Sequence, residues 1–266
     1  MLPTPSTSHV CFDNIYEPAE DSYLFLDTLS SATEAAWLSR RFNNIPSNRQ
    51  STPSGVTNSP SPLVVEVGTG SGVVLAFAAA NAQLIFGRED ILTLGTDVNR
   101  NACSATRKTV QHAMKEQQQH HQHQQLLGTL TADLCNPLRS GAVDVLIFNP
   151  PYVPTPDVPP PPLQESGDNK ENSKFESDSH LLSLSYAGGE LGMETTNRLL
   201  DMVPGILDPD RGVAYVLLCA QNKPDEVKQR IAGWGSGWMV ETVGRSGVKA
   251  GWERLSIIRI WRELPS

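Results

Sequence analysis

LVVEVGTGSGVV (63–74) decides the fold. A short valine-rich run predicts a buried strand, and the alternating glycines Gly68, Gly70 and Gly72 end it. The apolar stretch VVLAFAAANAQL (73–84) then predicts a helix. A strand, a glycine turn and a helix make the unit of a parallel sheet that binds a ligand at the carboxyl ends of its strands, where glycine lets the backbone approach closely. The dinucleotide fingerprint sets its third glycine one residue beyond Gly72, which disfavours a nicotinamide cofactor.

Outward from this unit the pattern repeats. ILTLGTD (91–97), LLGTLTADL (126–134), VDVLIFNPPY (143–152) and GVAYVLLCA (212–220) predict further strands. Helices are predicted from Asn99, over 194–203 and over 224–231. WMVETVG and ERLSIIRIW close the chain as an antiparallel pair. The expectation is a doubly wound α/β fold: a single domain over 1–266, with a mostly parallel seven-stranded sheet and an antiparallel C-terminal hairpin. IYEPAEDSYLFLDTL (15–29) predicts a helix over the ligand edge, with Glu20 and Asp21 in its first turn, placed to serve as a lid. Three polar stretches, 39–62, 117–125 and 153–179, read as loop or disorder and dilute the hydrophobic share to 39% of 266 residues.

A net charge of −8 argues against a broad grip on phosphate backbones, which needs a dense basic surface, so nucleic acid is not expected as a partner. The four cysteines, Cys11, Cys103, Cys135 and Cys219, stand far apart without a CxxC pair. Neither a metal site in this chain nor a disulfide framework is expected. His120, His121 and His123 sit in a glutamine run without supporting carboxylates or thiols, and read as low-complexity surface. No signal peptide or membrane span is visible, so a soluble cytoplasmic protein is expected, with the nucleus as a second location.

The strand ends carry the chemistry. Asp97 stands where a carboxylate accepts both hydroxyls of an adenosine ribose, or else caps the next helix. Asp133 and Leu134 are placed to meet the adenine amino group and a ring nitrogen; the bland alternative is a solvated turn before Pro137. Together with the glycine loop they outline an adenosine-shaped site. Asn149-Pro150-Pro151-Tyr152 ends the fourth strand. Two prolines fix its backbone, so the Asn149 side-chain oxygen and the Pro150 carbonyl can aim steadily at one planar nitrogen. An amide nitrogen is a poor nucleophile, because its lone pair is delocalised. Accepting both of its N–H bonds would hold it in line with a methyl sulfonium and favour its developing positive charge. Tyr152 would lie against the planar group and limit water.

At these residues the chain resembles class I methyltransferases with an (N/D)PPY motif, and within them the eukaryotic branch of HemK-type release-factor glutamine methyltransferases. YEPAED (16–21), EVGTGSGVV (66–74), TDVN (96–99), FNPPYV (148–153) and AGGELG (187–192) carry the likeness, which spans nearly the whole chain outside the polar stretches. The resemblance implies S-adenosylmethionine held by Ser22, Glu66, Gly68, Gly70, Asp97, Asp133, Leu134 and Asn149. It implies as acceptor the glutamine of the Gly-Gly-Gln motif of the eukaryotic class 1 release factor, gripped by Asn149, Pro150, Pro151 and Tyr152. It also implies a heterodimer with a small zinc-binding activator subunit, any zinc belonging to that partner, with residues 126–131 as the candidate docking strand. The long insertion after Tyr152 exceeds the family's usual loop and flanks the substrate entrance. Two rivals remain: a nucleic-acid adenine methyltransferase, since the same turn can hold a flipped base amine, and a silent cofactor-binding scaffold. Trp234, Trp238, Trp252 and Trp261 are expected to pack the terminal hairpin and its helix, or to cover the sheet edge. AGGELG is either an ordinary helix entry or a frame for the acceptor.

Overall fold

The computed structural model describes residues 2–43, 59–117, 125–161, 172–247 and 254–263. Its elements, in chain order, are α1 (Glu20–Leu29), α2 (Ala32–Asn43), β1 (Leu63–Val67), α3 (Val73–Ala80), α4 (Ala82–Phe86), β2 (Leu92–Asp97), α5 (Arg100–Gln117), β3 (Gln125–Thr131), β4 (Val145–Phe148), α6 (Asn172–Leu184), α7 (Glu194–Ile206), β5 (Val213–Cys219), α8 (Pro224–Ala232), β6 (Trp238–Arg245) and β7 (Leu255–Arg262). The strands form one seven-stranded sheet in the order β3-β2-β1-β4-β5-β7-β6. β1 to β5 run parallel, and β7 pairs antiparallel with both β5 and β6. This is the expected doubly wound α/β fold with its antiparallel C-terminal pair.

Strand periodicity divides the core. Val145 and Ile147 of β4, with Val213, Tyr215 and Leu217 of β5, face a layer built on α1 to α5. Leu146 and Phe148, with Ala214, Val216 and Leu218, face α7 and α8. Burial on both sides explains why VLIF and VAYVLLC read as unbroken apolar runs. Because β1 leads outward to β2 and β3 before the chain returns to β4, the strand order reverses between β1 and β4. Their carboxyl ends splay there, and a crevice opens beside the glycine loop.

Several expectations are corrected. The stretch 39–62 is not all loop: Ser39 to Asn43 complete α2, whose Leu38 and Phe42 are fully buried one turn apart, Phe42 edge-on to Phe86. Ser39 and Asn43 of that turn, whose side chains bond to each other and to the Phe86 carbonyl, masked its apolar seam. Within 153–179, α6 begins at Asn172; its composition is polar because one side faces water, with Phe175 exposed. The predicted lid helix starts at Glu20 rather than at 15, and Ile15 to Ala19 form a non-helical run leading into it. The helix predicted over 73–84 breaks at Asn81, whose side chain donates to the Phe77 carbonyl at 2.9 Å and so competes with the helix. Residues 118–124 with the three histidines, and Trp252, lie outside the described residues. Trp261 is buried in the core, and Trp234 meets Trp238 edge-on at 5.3 Å, as expected of hairpin packing. Among the described residues no helix is long and apolar enough to cross a membrane.

Candidate active site

The glycine loop owes its shape to left-handed backbone. Gly68, Gly70 and Gly72 have φ of 65°, 51° and 76°, values that strain a residue with a Cβ. Gly68 N–H donates to the Thr96 carbonyl at 2.8 Å, fixing the loop to the end of β2. Two threonines of α5 hold it from below: Thr106 Oγ1 donates to the Gly70 carbonyl at 3.3 Å, and Thr109 Oγ1 to the Ser71 carbonyl at 2.6 Å. Gly72 lies so close to α5 that an added Cβ would come 2.5 Å from the Thr106 Cα. Gly70 differs: nothing lies within 4 Å of the place its Cβ would take. Its open side belongs to a cavity of about 160 Å³ that it lines.

The predicted carboxylates converge there. Asp97 Oδ2 accepts the Gly70 N–H at 2.9 Å, and Oδ1 accepts the Asn99 N–H at 2.8 Å. Asn99, not Asp97, caps α5, its Oδ1 taking the Asn101 N–H. Burial raises the Asp97 carboxyl to about 6. Glu66 Oε2 accepts the Leu75 N–H at 2.9 Å, and burial lifts this carboxyl well above its usual range, the nearby Asp97 adding to the effect. Asp133 enters the lining from the β3 end, followed by Leu134 in a left-handed conformation with φ 51°. The Asp133 Oδ2 is ion-paired with Arg198 of α7, a partner that sequence spacing gave no sign of.

Ser22, Glu66, Gly68, Gly70, Asp97, Asp133, Leu134, Asn149, Pro150 and Pro151 all line this one cavity. Tyr152 does not; its ring packs toward the core on the α1 to α5 side. Ile15 and Tyr16, at the start of the stretch expected as a lid, cover the cavity from the N-terminal side; Leu181 and Leu184 of α6, which sequence reasoning missed, cover it from the other. The two halves are tied by Asn14 Nδ2, which donates to Asp178 Oδ1 at 2.7 Å, while the Asn14 carbonyl accepts from Asn99 Nδ2 at 2.7 Å. At the cavity wall the Asn149 Oδ1 is buried and without a hydrogen-bond partner. A buried acceptor left in that state costs free energy unless a ligand donates to it.

AGGELG is resolved as more than a helix entry. Its Ala187 pairs with Val153, just past the NPPY turn, and a 3₁₀ turn, Glu190–Gly192, leads into α7. Gly188 and Gly192 pack against the Pro151 and Tyr152 carbonyls so closely that neither has room for a Cβ.

No family model matches the chain. Among curated proteins it is 31% identical over 267 residues to the eRF1 methyltransferase catalytic subunit mtq2 of Schizosaccharomyces pombe, the alignment covering 98% of this chain and 96% of that protein. It is 32% identical over 264 residues to Methyltransferase HEMK2 of Homo sapiens, covering 96% and 95%.

Proposed function

Because this chain belongs to the methyltransferase family of the eRF1 methyltransferase catalytic subunit mtq2 and HEMK2, we propose that it methylates the glutamine of the Gly-Gly-Gln motif in a eukaryotic class 1 release factor. The chain is a methyltransferase, with S-adenosylmethionine as its methyl donor. When bound, that donor supplies an electrophilic methyl group on a sulfonium.

The residues fit such a molecule. The open side of Gly70 leaves room for it at the loop, and the Asp97 carboxylate stands beside that opening to accept ribose hydroxyls. Asp133 and Leu134 supply an acceptor and a backbone donor for adenine at the β3 end, and the buried Glu66 ties the end of β1 to the first turn of α3 while lining the cavity. Ser22 borders the same space from α1.

The unpartnered Asn149 Oδ1 carries the proposal. It is a fixed acceptor on the cavity wall, next to Pro150, and accepts one N–H of a primary amide while the Pro150 carbonyl accepts the other. Holding both N–H bonds orients the nitrogen and stabilises the positive charge it gains as the methyl arrives, so no strong base is needed. Pro151 and Tyr152 hold that turn rigid.

The small zinc-binding activator belongs to the same proposal. β3 is an edge strand of the sheet, and it leaves Leu127 and Leu130 exposed, a surface suited to strand addition with apolar cover. The cytoplasm, where translation terminates, is the place such an enzyme would act, with the nucleus a second location.

The deciding experiment is radiolabelled methyl transfer with release factor, its Gln-to-Ala variant and DNA as acceptors, with and without co-expressed activator. Label on the factor that vanishes in the variant is expected. Label on DNA alone would overturn the assignment in favour of adenine.

A further inference from the structure

The NPPY turn projects from the end of β4, and nothing in its own sequence ties it to the rest of the sheet beyond that point. The tie comes from the neighbouring strand. Asn222 ends the 3₁₀ turn that follows β5, and the residue is 2% exposed. Its Oδ1 accepts the Cys219 N–H at 2.7 Å, which locks the amide plane to the last residue of β5. Its Nδ2 donates to the Tyr152 carbonyl at 3.1 Å and the Leu191 carbonyl at 2.8 Å, with the Gly192 carbonyl at 3.3 Å sharing the bond. One buried amide therefore joins three segments: the β5 end, the NPPY turn and the AGGELG loop.

We infer that Asn222 is a positioning residue for methyl transfer, holding the NPPY turn in place through the Tyr152 carbonyl; this rests on the proposed role of that turn in gripping the acceptor. The turn needs such a brace. Prolines at 150 and 151 have no N–H, so this stretch makes few hydrogen bonds of its own. Beyond the turn, Val153 N–H donates to the Tyr186 carbonyl at 3.0 Å, and Gly188 N–H donates to the Val153 carbonyl at 2.8 Å. Those bonds set the turn against AGGELG; toward the sheet, the Cys219 thiol reaches the Tyr152 carbonyl at 3.7 Å, and the Asn222 amide makes the shorter bond at 3.1 Å. Asn222 joins the pair to the sheet that carries Glu66 and Asp97. The close approach of Gly192 to Tyr152 brings that carbonyl within reach of the amide.

Asn222→Asp is the informative variant. It is isosteric and keeps an oxygen for the Cys219 N–H, yet it sets a carboxylate oxygen against the Tyr152 and Leu191 carbonyls in place of a donor. Its kcat is expected to fall about 10- to 100-fold, the scale of a small misplacement of reacting groups, while KM for S-adenosylmethionine and Kd for S-adenosylhomocysteine stay within about twofold. Hydrogen exchange followed by mass spectrometry should show faster exchange at 152–155 and 187–193 with the glycine loop unchanged. Should this variant lose its cooperative melt, the uncharged Asn222→Ser replaces it. Exchange in those two segments equal to wild type, or a kcat within twofold of wild type, overturns the inference. Wild-type protein that labels no Gly-Gly-Gln factor would instead sink the proposed function, and the exchange comparison would still decide the role of Asn222.

Discussion

Gly70 donates its backbone N–H to Asp97 Oδ2 at 2.9 Å, so the glycine loop and the end of β2 share one buried carboxyl. Two backbone donors do not fully offset its burial, and its pKa stands at about 6, against 3.8 for an ordinary aspartate. The native chain thus holds a proton between about pH 4 and 6 that the unfolded chain has lost, and native stability from this group is lost as pH rises through 6. We expect the urea midpoint of the ligand-free protein to drop between pH 5 and 7, with Asp97→Asn flattening the change. The contribution is of order 1–3 kcal/mol. Identical pH profiles for wild type and Asp97→Asn would contradict this.

Cofactor binding should run the opposite way with pH. The ionised form of Asp97 is the one that accepts two hydroxyls, so affinity for S-adenosylhomocysteine is expected to weaken as pH falls through 6, by up to about tenfold per pH unit. Asp97→Ala should cost roughly 1.5–3 kcal/mol at neutral pH, the range for a hydrogen bond to a charged group. Calorimetry at pH 5, 6 and 7.5 tests both, and a flat profile would remove the carboxylate from the ribose site.

Asn149 separates binding from chemistry. Its Oδ1 is buried and unpartnered without a ligand, so removing it leaves no broken bond behind. Asn149→Ala is expected to retain its melting temperature and cofactor affinity, yet lose at least about 10²-fold in kcat. Single-turnover transfer at saturating donor is the measurement, and undiminished turnover would rule out the NPPY mechanism.

What sequence could show here followed what side chains do locally. The valine run before Gly68, the carboxylates at strand ends and the NPPY turn are all contiguous signals, and nine of the ten residues drawn from them meet in one cavity. Tyr152 fails to join because its ring packs toward the core on the α1 to α5 side. Arg198 and Asn222 could not be anticipated, since each acts across 65 and 70 residues of chain on a partner chosen by topology. Helices α2 and α6 were hidden for another reason: Thr33, Arg40 and Asn43 on α2 and Glu176 and Ser179 on α6 are exposed, while Phe42, Leu181 and Leu184 face inward. Composition averages over both faces and hears the louder one.

Two glycines of the same loop should respond differently to alanine. At Gly72 the new Cβ meets α5 backbone at 2.5 Å, and φ is 76° besides, so Gly72→Ala should lose at least about 2 kcal/mol of stability. At Gly70 the space is open and only the backbone strain remains, about 1–2 kcal/mol. Gly70→Ala should therefore fold, and its defect should appear in cofactor affinity, because the methyl group enters the cavity. Thermal melts and calorimetry on the pair would expose the error if Gly70→Ala bound the cofactor like wild type.

The farthest-reaching packing prediction lies on the opposite side of α2. Arg259 of β7 donates to both carboxylate oxygens of Glu34 at 2.8 and 2.9 Å and to Glu241 at 2.8 Å, while Tyr215 donates to Glu34 at 2.9 Å. The guanidinium lies 4.0 Å from the Trp37 ring centre and 4.6 Å from that of Trp261. Glu34 and Arg259 are almost fully buried, so their worth lies less in the pair itself than in the cost of stranding either charge. Glu34→Ala leaves Arg259 with the half-exposed Glu241 alone and orphans the Tyr215 hydroxyl, and should cost about 3–5 kcal/mol. Replacing both, as Glu34→Leu with Arg259→Met, should recover much of that loss, since aromatic and aliphatic neighbours accept an apolar pair. Urea unfolding of the three variants is the check: a double variant no more stable than Glu34→Ala would mean that the ion pair itself, rather than the avoidance of a stranded charge, holds α2 against the sheet.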